Sequence, residues 1–174
     1  MADRGAPAPL VVIGPSGSGK TTLVQALLKR RTDLELVPTW TTRPRRARET
    51  VGHVFVDDET FDSGHFLGTV DVFGQRYGLP QFTSTARPLL LLRVFVLDQL
   101  VPLFPYARVV QVEAPFDVLE RRLRQRGDDD RVDEQKLAAE VEAGRAFAHA
   151  IVVADASLDE NLTRFEAGIN TALG

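Results

Sequence analysis

Two hydrophobic periods alternate along this chain, and the switches between them mark out its elements. Residues 9–13 read PLVVI, an unbroken apolar run closed by Gly14, the pattern of a strand buried on both faces. After a glycine- and serine-rich stretch, Leu23, Ala26, Leu27 and Arg30 recur at helical spacing, which predicts an amphipathic helix over 21–31. LELVPTWTT predicts one short strand leading into the basic loop RPRRARETVG; HVFV predicts a further strand, and DDETF a helix start. FLGTVDVFGQRYGLP alternates as a strand and turn, RPLLLLRVFVL holds at least one buried strand, and ARVVQVEAP another that Pro115 ends. FDVLERRLRQRG reads as a helix stopped by Gly127, DDDR as a solvated acidic turn, and 132–150 as helical. IVVADAS reads as a strand and LDENLTRFEAGINTAL as a closing helix. Strands alternating with helices predict an α/β fold, a mainly parallel sheet covered on both faces. Neither an internal repeat nor a linker interrupts the pattern. One domain over 9–174 is therefore expected, preceded by a small, proline-rich arm over 1–8.

Composition narrows the class. The chain has 174 residues, enough for one full core, with 44% hydrophobic and 26% charged residues and a net charge of −3. That charge provides no overall basic field for nucleic acid. Without cysteine there is no disulfide framework, thiolate nucleophile or cysteine-based metal site. The start MADRGAPAP lacks the pattern of a secretory signal, and the longest apolar stretch, around 89–97, is too short to span a bilayer. These features predict a cytoplasmic enzyme or binding domain, without a membrane partner. His65 and His149 have no metal-spaced partners, and a lone Trp40 beside a strand reads as core.

The stretch between the first strand and helix carries the chemistry. Gly14, Gly19, Lys20 and Thr21 complete G-x-x-x-x-G-K-[ST], with Pro15, Ser16, Gly17 and Ser18 between them and Thr22 after. Glycines let successive N–H groups turn inward on phosphate oxygens. Lys20 reaches the terminal phosphates, the Thr21 hydroxyl suits magnesium, and the helix that starts here adds its positive end. ATP with Mg2+ is the expected donor.

GPSGSGKTTL, TTRPRR, HVFV, VDVFGQRYGLP and LERRLRQRG follow one another in the order and rough spacing of a guanylate kinase. From about Leu10 to about Asp159 the chain resembles that family of P-loop kinases. The resemblance implies a three-layer fold with a small acceptor lobe, about 37–82, and a lid, about 124–138. It implies that Arg43 and Arg46 grip the acceptor's phosphate, as paired guanidinium forks can. Tyr77 matches a tyrosine that reaches the same phosphate, and His53 stands where the family has another. Thr39 matches a hydroxyl residue that helps read the base. The family's base-reading glutamate falls at Gly68, with Asp71 three residues on, and the hydroxyl residue after YG is Leu79. A second carboxylate falls at Arg93 counting back from FPYAR, or at Asp98 counting forward from RYG. Arg122 and Arg126, four apart on one helical face, match arginines that close over the transferring phosphates, and Lys136 stands near a third. VADAS stands where the family often has VNDD close to the donor's adenine.

GQRYG, with an apolar residue in place of the glutamate, is also similar to ribose 1,5-bisphosphate phosphokinases. Three functions follow from this reading. A phosphotransferase acts on a small phosphorylated acceptor, a nucleoside monophosphate ahead of the sugar bisphosphate. A silent guanylate-kinase-like binding module would tend to lose the loop that is intact here. A nucleotide switch would have no use for Arg43, Arg46 and Tyr77. The chain is expected to act as a monomer or homodimer.

Overall fold

A computed structural model describes residues 7–47, 49, 51–82 and 85–174, so most of the expected arm lies outside the described residues. Of that arm, Ala8 accepts a hydrogen bond from the Arg87 guanidinium at 2.6 Å. β1 (Leu10–Ile13) is wholly buried, and it runs parallel to β7 (Arg87–Leu91) on one side and β8 (Arg108–Glu113) on the other. β2 (Leu34–Leu36) and β9 (Ala150–Val153) add the two edges, giving the all-parallel order β2-β7-β1-β8-β9. The unbroken apolar run of β1 follows from this central place, where both faces are covered.

One face of the sheet packs Leu10, Val12, Leu89, Val110 and Val112 against α1 (Lys20–Leu28) and α6 (Leu158–Leu173). Phe165 and Ile169 of α6 are fully buried there, and a capping box between Ser157 and Glu160 starts that helix. The opposite face packs Val11, Leu90 and Val109 against α3 (Val94–Leu100) and against Val70, Tyr77 and Leu79. The last three belong to a second sheet of order β4-β3-β6-β5: β4 (His53–Phe55), β3 (Thr39–Thr41), β6 (Gln75–Pro80) and β5 (Phe66–Val72). α4 (Phe116–Arg126) ends at Gly127 in the left-handed conformation, and α5 (Glu134–Arg145) follows a 3-10 turn over Asp129–Arg131. α2 (Asp58–Asp62) caps its start with the Asp57 carboxylate. No helix among the described residues is long and apolar enough to cross a membrane.

Two local readings change. LELVPTWTT is two strands in two different sheets, because Val37 and Pro38 carry the chain from one to the other. RPLLLLRVFVL holds the expected buried strand as β7, and its VFVL end is helical despite two β-branched valines: packing of Val94, Val96, Leu97 and Leu100 overrides local propensity. In the turn after the acidic run, DDDR is not wholly solvated, because Arg131 points back into a cleft described below.

Candidate active site

The glycine-rich loop leaves the C-terminal end of β1 where its neighbours β7 and β8 diverge, the place where parallel sheets open a ligand crevice. Gly14 has φ +148, and a Cβ there would lie 2.1 Å from the Val112 carbonyl oxygen, so only glycine lets the loop pass β8. Gly19, with φ +95, starts α1 without any side-chain cap, which leaves the first amides of that helix open to an anion. The Lys20 ammonium is turned onto the loop and donates to the Gly14 and Pro15 carbonyls at 2.7 and 3.1 Å. Burial, reinforced by the Arg93, Arg131 and Arg126 guanidiniums, lowers its pKa to about 8, although Glu140 opposes this. Ser18 Oγ is buried without a hydrogen-bond partner among the described residues. Thr21 and Thr22 stand exposed on the first turn. Open amides, an orphaned hydroxyl, a cation and an exposed threonine fit the phosphates of a nucleotide and its magnesium.

A cleft of about 400 Å³ runs from this loop to the second sheet. Arg43 and Arg46 line its far side with Thr39, His53 and Tyr77. β3 pairs with β6 in antiparallel fashion, Thr41 opposite Tyr77, which brings the tyrosine beside the basic loop that follows β3. The Arg43 side chain is only 6% exposed and is gripped on both arms by Glu49, at 2.6 and 3.0 Å. Burial works against it, yet the Arg43 fork holds the Glu49 carboxyl below its ordinary range. Arg46 is half-buried, and burial together with Arg43 lowers its pKa. His53 Nδ1 lies 2.7 Å from the Thr39 hydroxyl. Burial, then Arg43 and Arg46, lowers its pKa to about 4, so the ring is neutral at pH 7. Two guanidiniums, a phenol and a neutral imidazole converge here: the chemistry of a phosphate or carboxylate seat.

α4 supplies the roof. Arg122 donates to the carbonyls of Gly17 and Ser18 at 3.2 and 3.3 Å, and to Ala154 at 2.9 Å, pinning the loop to the end of β9. Arg126 lines both the cleft and a second cavity of about 260 Å³ beside Gly19, Thr22, Ala156 and Asn161. Thus one arginine faces the two ends of the site.

Arg122 lines only the second cavity, and three further side chains singled out in the sequence are not brought to the cleft. Lys136 is 85% exposed and pairs with Asp133 at 3.1 Å; Arg131 lies in the cleft instead and donates to Ser16 Oγ. Burial, then Arg46 and Arg93, lowers the Arg131 pKa to about 10. Asp71 serves its own hairpin: its carboxylate accepts from the Gly74 amide at 3.0 Å, across a turn where Phe73 and Gly74 both have positive φ. Asp98 sits on the exposed side of α3, and of the two candidates it is Arg93 that lines the cleft. Trp40 stacks edge-on against Phe66 within the second sheet rather than lining the cleft.

Sequence reasoning missed Glu49, Arg131 and Glu140. Glu140 of α5 is 3% exposed and holds Arg93 by two bonds at 2.9 and 3.2 Å. Only Glu49 carried a local signal, three residues after Arg46. Arg131 reaches the cleft, and Glu140 reaches Arg93 behind its wall, through the path of the chain after Gly127, which no periodicity reveals.

A glycine-rich loop with Lys20 and Thr21 at the switch point of a parallel sheet defines a P-loop nucleotide-binding protein. No protein-family model matches the chain. The chain is 37% identical over 163 residues to a guanylate kinase of Myxococcus xanthus (strain DK1622), covering 84% of this chain and 78% of that one. It is 34% identical over 171 residues to a guanylate kinase of Parasynechococcus marenigrum (strain WH8102), covering 90% and 94%. A crystal structure of guanylate kinase from Anaplasma phagocytophilum superposes with a TM-score of 0.69 over 96% of this chain and 86% of that one, at 20% identity. The chain belongs to the guanylate kinase family.

Proposed function

We propose that this protein is a cytoplasmic nucleoside monophosphate kinase that transfers the γ-phosphoryl group of MgATP to the phosphate of a GMP-like acceptor. One observation carries the reading: a single cleft joins the loop of Lys20 and Thr21 to the seat of Arg43, Arg46 and Tyr77. The domain spans 9–174, with an acceptor lobe over 37–82 and a lid over 124–138. The protein acts as a monomer or homodimer on small molecules.

The loop amides and Lys20 hold the donor's terminal phosphates, and Thr21 would hold magnesium, which would neutralise charge on those phosphates. Arg43, Arg46 and Tyr77 hold the acceptor so that a phosphate oxygen faces the γ phosphorus. That oxygen forms the new P–O bond as the bond between the γ phosphorus and the bridging oxygen breaks, releasing ADP. The attacking oxygen is already anionic, so no general base is required. Arg126 and Arg131 offset charge on the transferring group, and Arg122 positions the loop.

Relatives named guanylate kinase and an intact phosphate loop do not favour the sugar-bisphosphate or silent-module readings. An ADP-release assay with MgATP and a panel of nucleoside monophosphates tests the proposal. Lys20→Ala is expected to abolish turnover with every acceptor while leaving the melting temperature measurable. Full activity in that variant would refute the role of the loop.

A further inference from the structure

Positive charge outweighs negative charge in the cleft. Lys20, Arg46, Arg93, Arg126 and Arg131 line it together with Arg43. Among the described residues lining it, only Glu49 and Asp128 carry a carboxylate. Glu49 is committed to both arms of Arg43, and Asp128 lies 3.9 Å from Arg131. Such a surplus repels itself and suits a polyanion.

Arg93 is the cation of this group that has no role in the scheme above. It stands at the start of α3 and lines the cleft beside Leu92 and Val96, with its side chain 39% exposed. Glu140, 3% exposed on α5, accepts from its Nε at 3.2 Å and from its Nη2 at 2.9 Å, which fixes the plane of the guanidinium. Glu140 accounts for only one edge of that group: Nη1 has no acceptor among the described residues. The charged neighbours of Arg93 belong to both phosphate seats. Burial is the first cause in each case, but Arg93 is also one of the charges that lower the pKa of Lys20 at the donor loop, of Arg46 at the acceptor seat and of Arg131 against Ser16. A cation that acts on Lys20 and Arg46 together is within reach of the space between the two seats.

We infer that Arg93 is a catalytic residue of the transfer step, donating to the phosphoryl group as it passes from the Lys20 loop toward Arg46, and that Glu140 is its positioning residue. This rests on the kinase reading above. As the γ phosphorus bonds to the acceptor's phosphate oxygen and its bond to the bridging oxygen breaks, negative charge spreads over the oxygens of the group in transit. Arg93 meets that charge with hydrogen bonds and gives up no proton, and the bridging oxygen leaves on ADP. A donor already fixed in place needs no reorganisation at that moment, which is what the grip of Glu140 supplies.

The test is steady-state kinetics with MgATP and GMP on the native protein, Arg93→Met, Glu140→Gln and the variant carrying both changes. The double variant leaves no lone buried carboxylate, so it serves if Arg93→Met alone does not fold. In Arg93→Met and in the double variant kcat is expected to fall about 100-fold with both KM values within about threefold of native, as for a contact made only in the transition state. Glu140→Gln alone is expected to lower kcat about tenfold, and to add nothing once residue 93 has lost its guanidinium. Fluoroaluminate with MgADP and GMP, which mimics the group in transit, should raise the Tm of the native protein beyond MgADP and GMP alone, and should add nothing in the double variant. A folded double variant with native kcat, with its loss confined to one KM, or with the full fluoroaluminate gain would overturn the inference and leave the kinase reading intact. Losses that simply add in the double variant would remove Glu140 as the positioning residue. A native protein inactive with GMP would end the kinase reading as proposed, and this inference with it.

Discussion

Glu49→Gln probes how the acceptor seat is held before its ligand arrives. The substitution keeps the shape of the side chain and removes its charge. Arg43, 6% exposed, would retain its bond to the Pro44 carbonyl and at most one bond to the amide oxygen in place of two to a carboxylate. Breaking a fully buried pair costs about 3–5 kcal/mol, and an exposed pair is worth about 0–1 kcal/mol. Glu49 at 20% exposure stands between these limits, so about 2 kcal/mol is expected. For a domain of this size that lowers Tm by about 4–8 °C. On the proposed acceptor site a bound phosphate would supply the missing negative charge beside Arg43, so GMP at a fixed saturating concentration should raise Tm more in the variant than in the native protein. Differential scanning fluorimetry with and without GMP measures both quantities. A variant that melts within 1 °C of the native protein, and gains no more from GMP, would refute the reasoning.

Arg43→Ala should raise the KM for the acceptor about 100-fold or more while barely moving the KM for ATP, by loss of one charge-assisted bidentate contact; equal changes in both would place Arg43 elsewhere. Gly14→Ala drives a Cβ to 2.1 Å from the Val112 carbonyl, and is expected to abolish measurable ATP binding by calorimetry in a protein that still shows the native circular dichroism. His53 gives a pH dependence. Its folded pKa of about 4 lies below the ordinary 6.5, so between these values the unfolded chain binds a proton that the folded one refuses. Stability is thus complete above pH 6.5 and falls as pH drops toward 4, by up to about 3 kcal/mol. Urea titrations at pH 7 and pH 5 on the native protein and His53→Gln measure it, and an identical pH slope in the two would exclude His53 as the source.

Sequence alone determined what depends on neighbours along the chain. The loop from Gly14 to Thr21 was legible because its glycines, lysine and threonine act within one turn between a strand and a helix. The central strand at 10–13 and the helices at 116–126 and 158–173 were legible because each buries a face set by its own period. Arg43, Arg46 and Tyr77 were found by their order in the chain, and β3 pairing with β6 brings them to one wall of the cleft. Tertiary structure alone decided the rest. Asp71 and Asp98 are polar residues close in sequence to the pocket, but one closes a hairpin and the other lies on the outer side of α3. Arg93 was left ambiguous by counting, and its direction was set only when the chain turned from strand to helix after Leu92 and Glu140 arrived from α5. Arg131, not Lys136, enters the site because the 3-10 turn after Gly127 folds it back onto Ser16. The physical reason is range: capping, periodicity and loop conformation are local, whereas a buried charge finds its partner from whichever element packs against it.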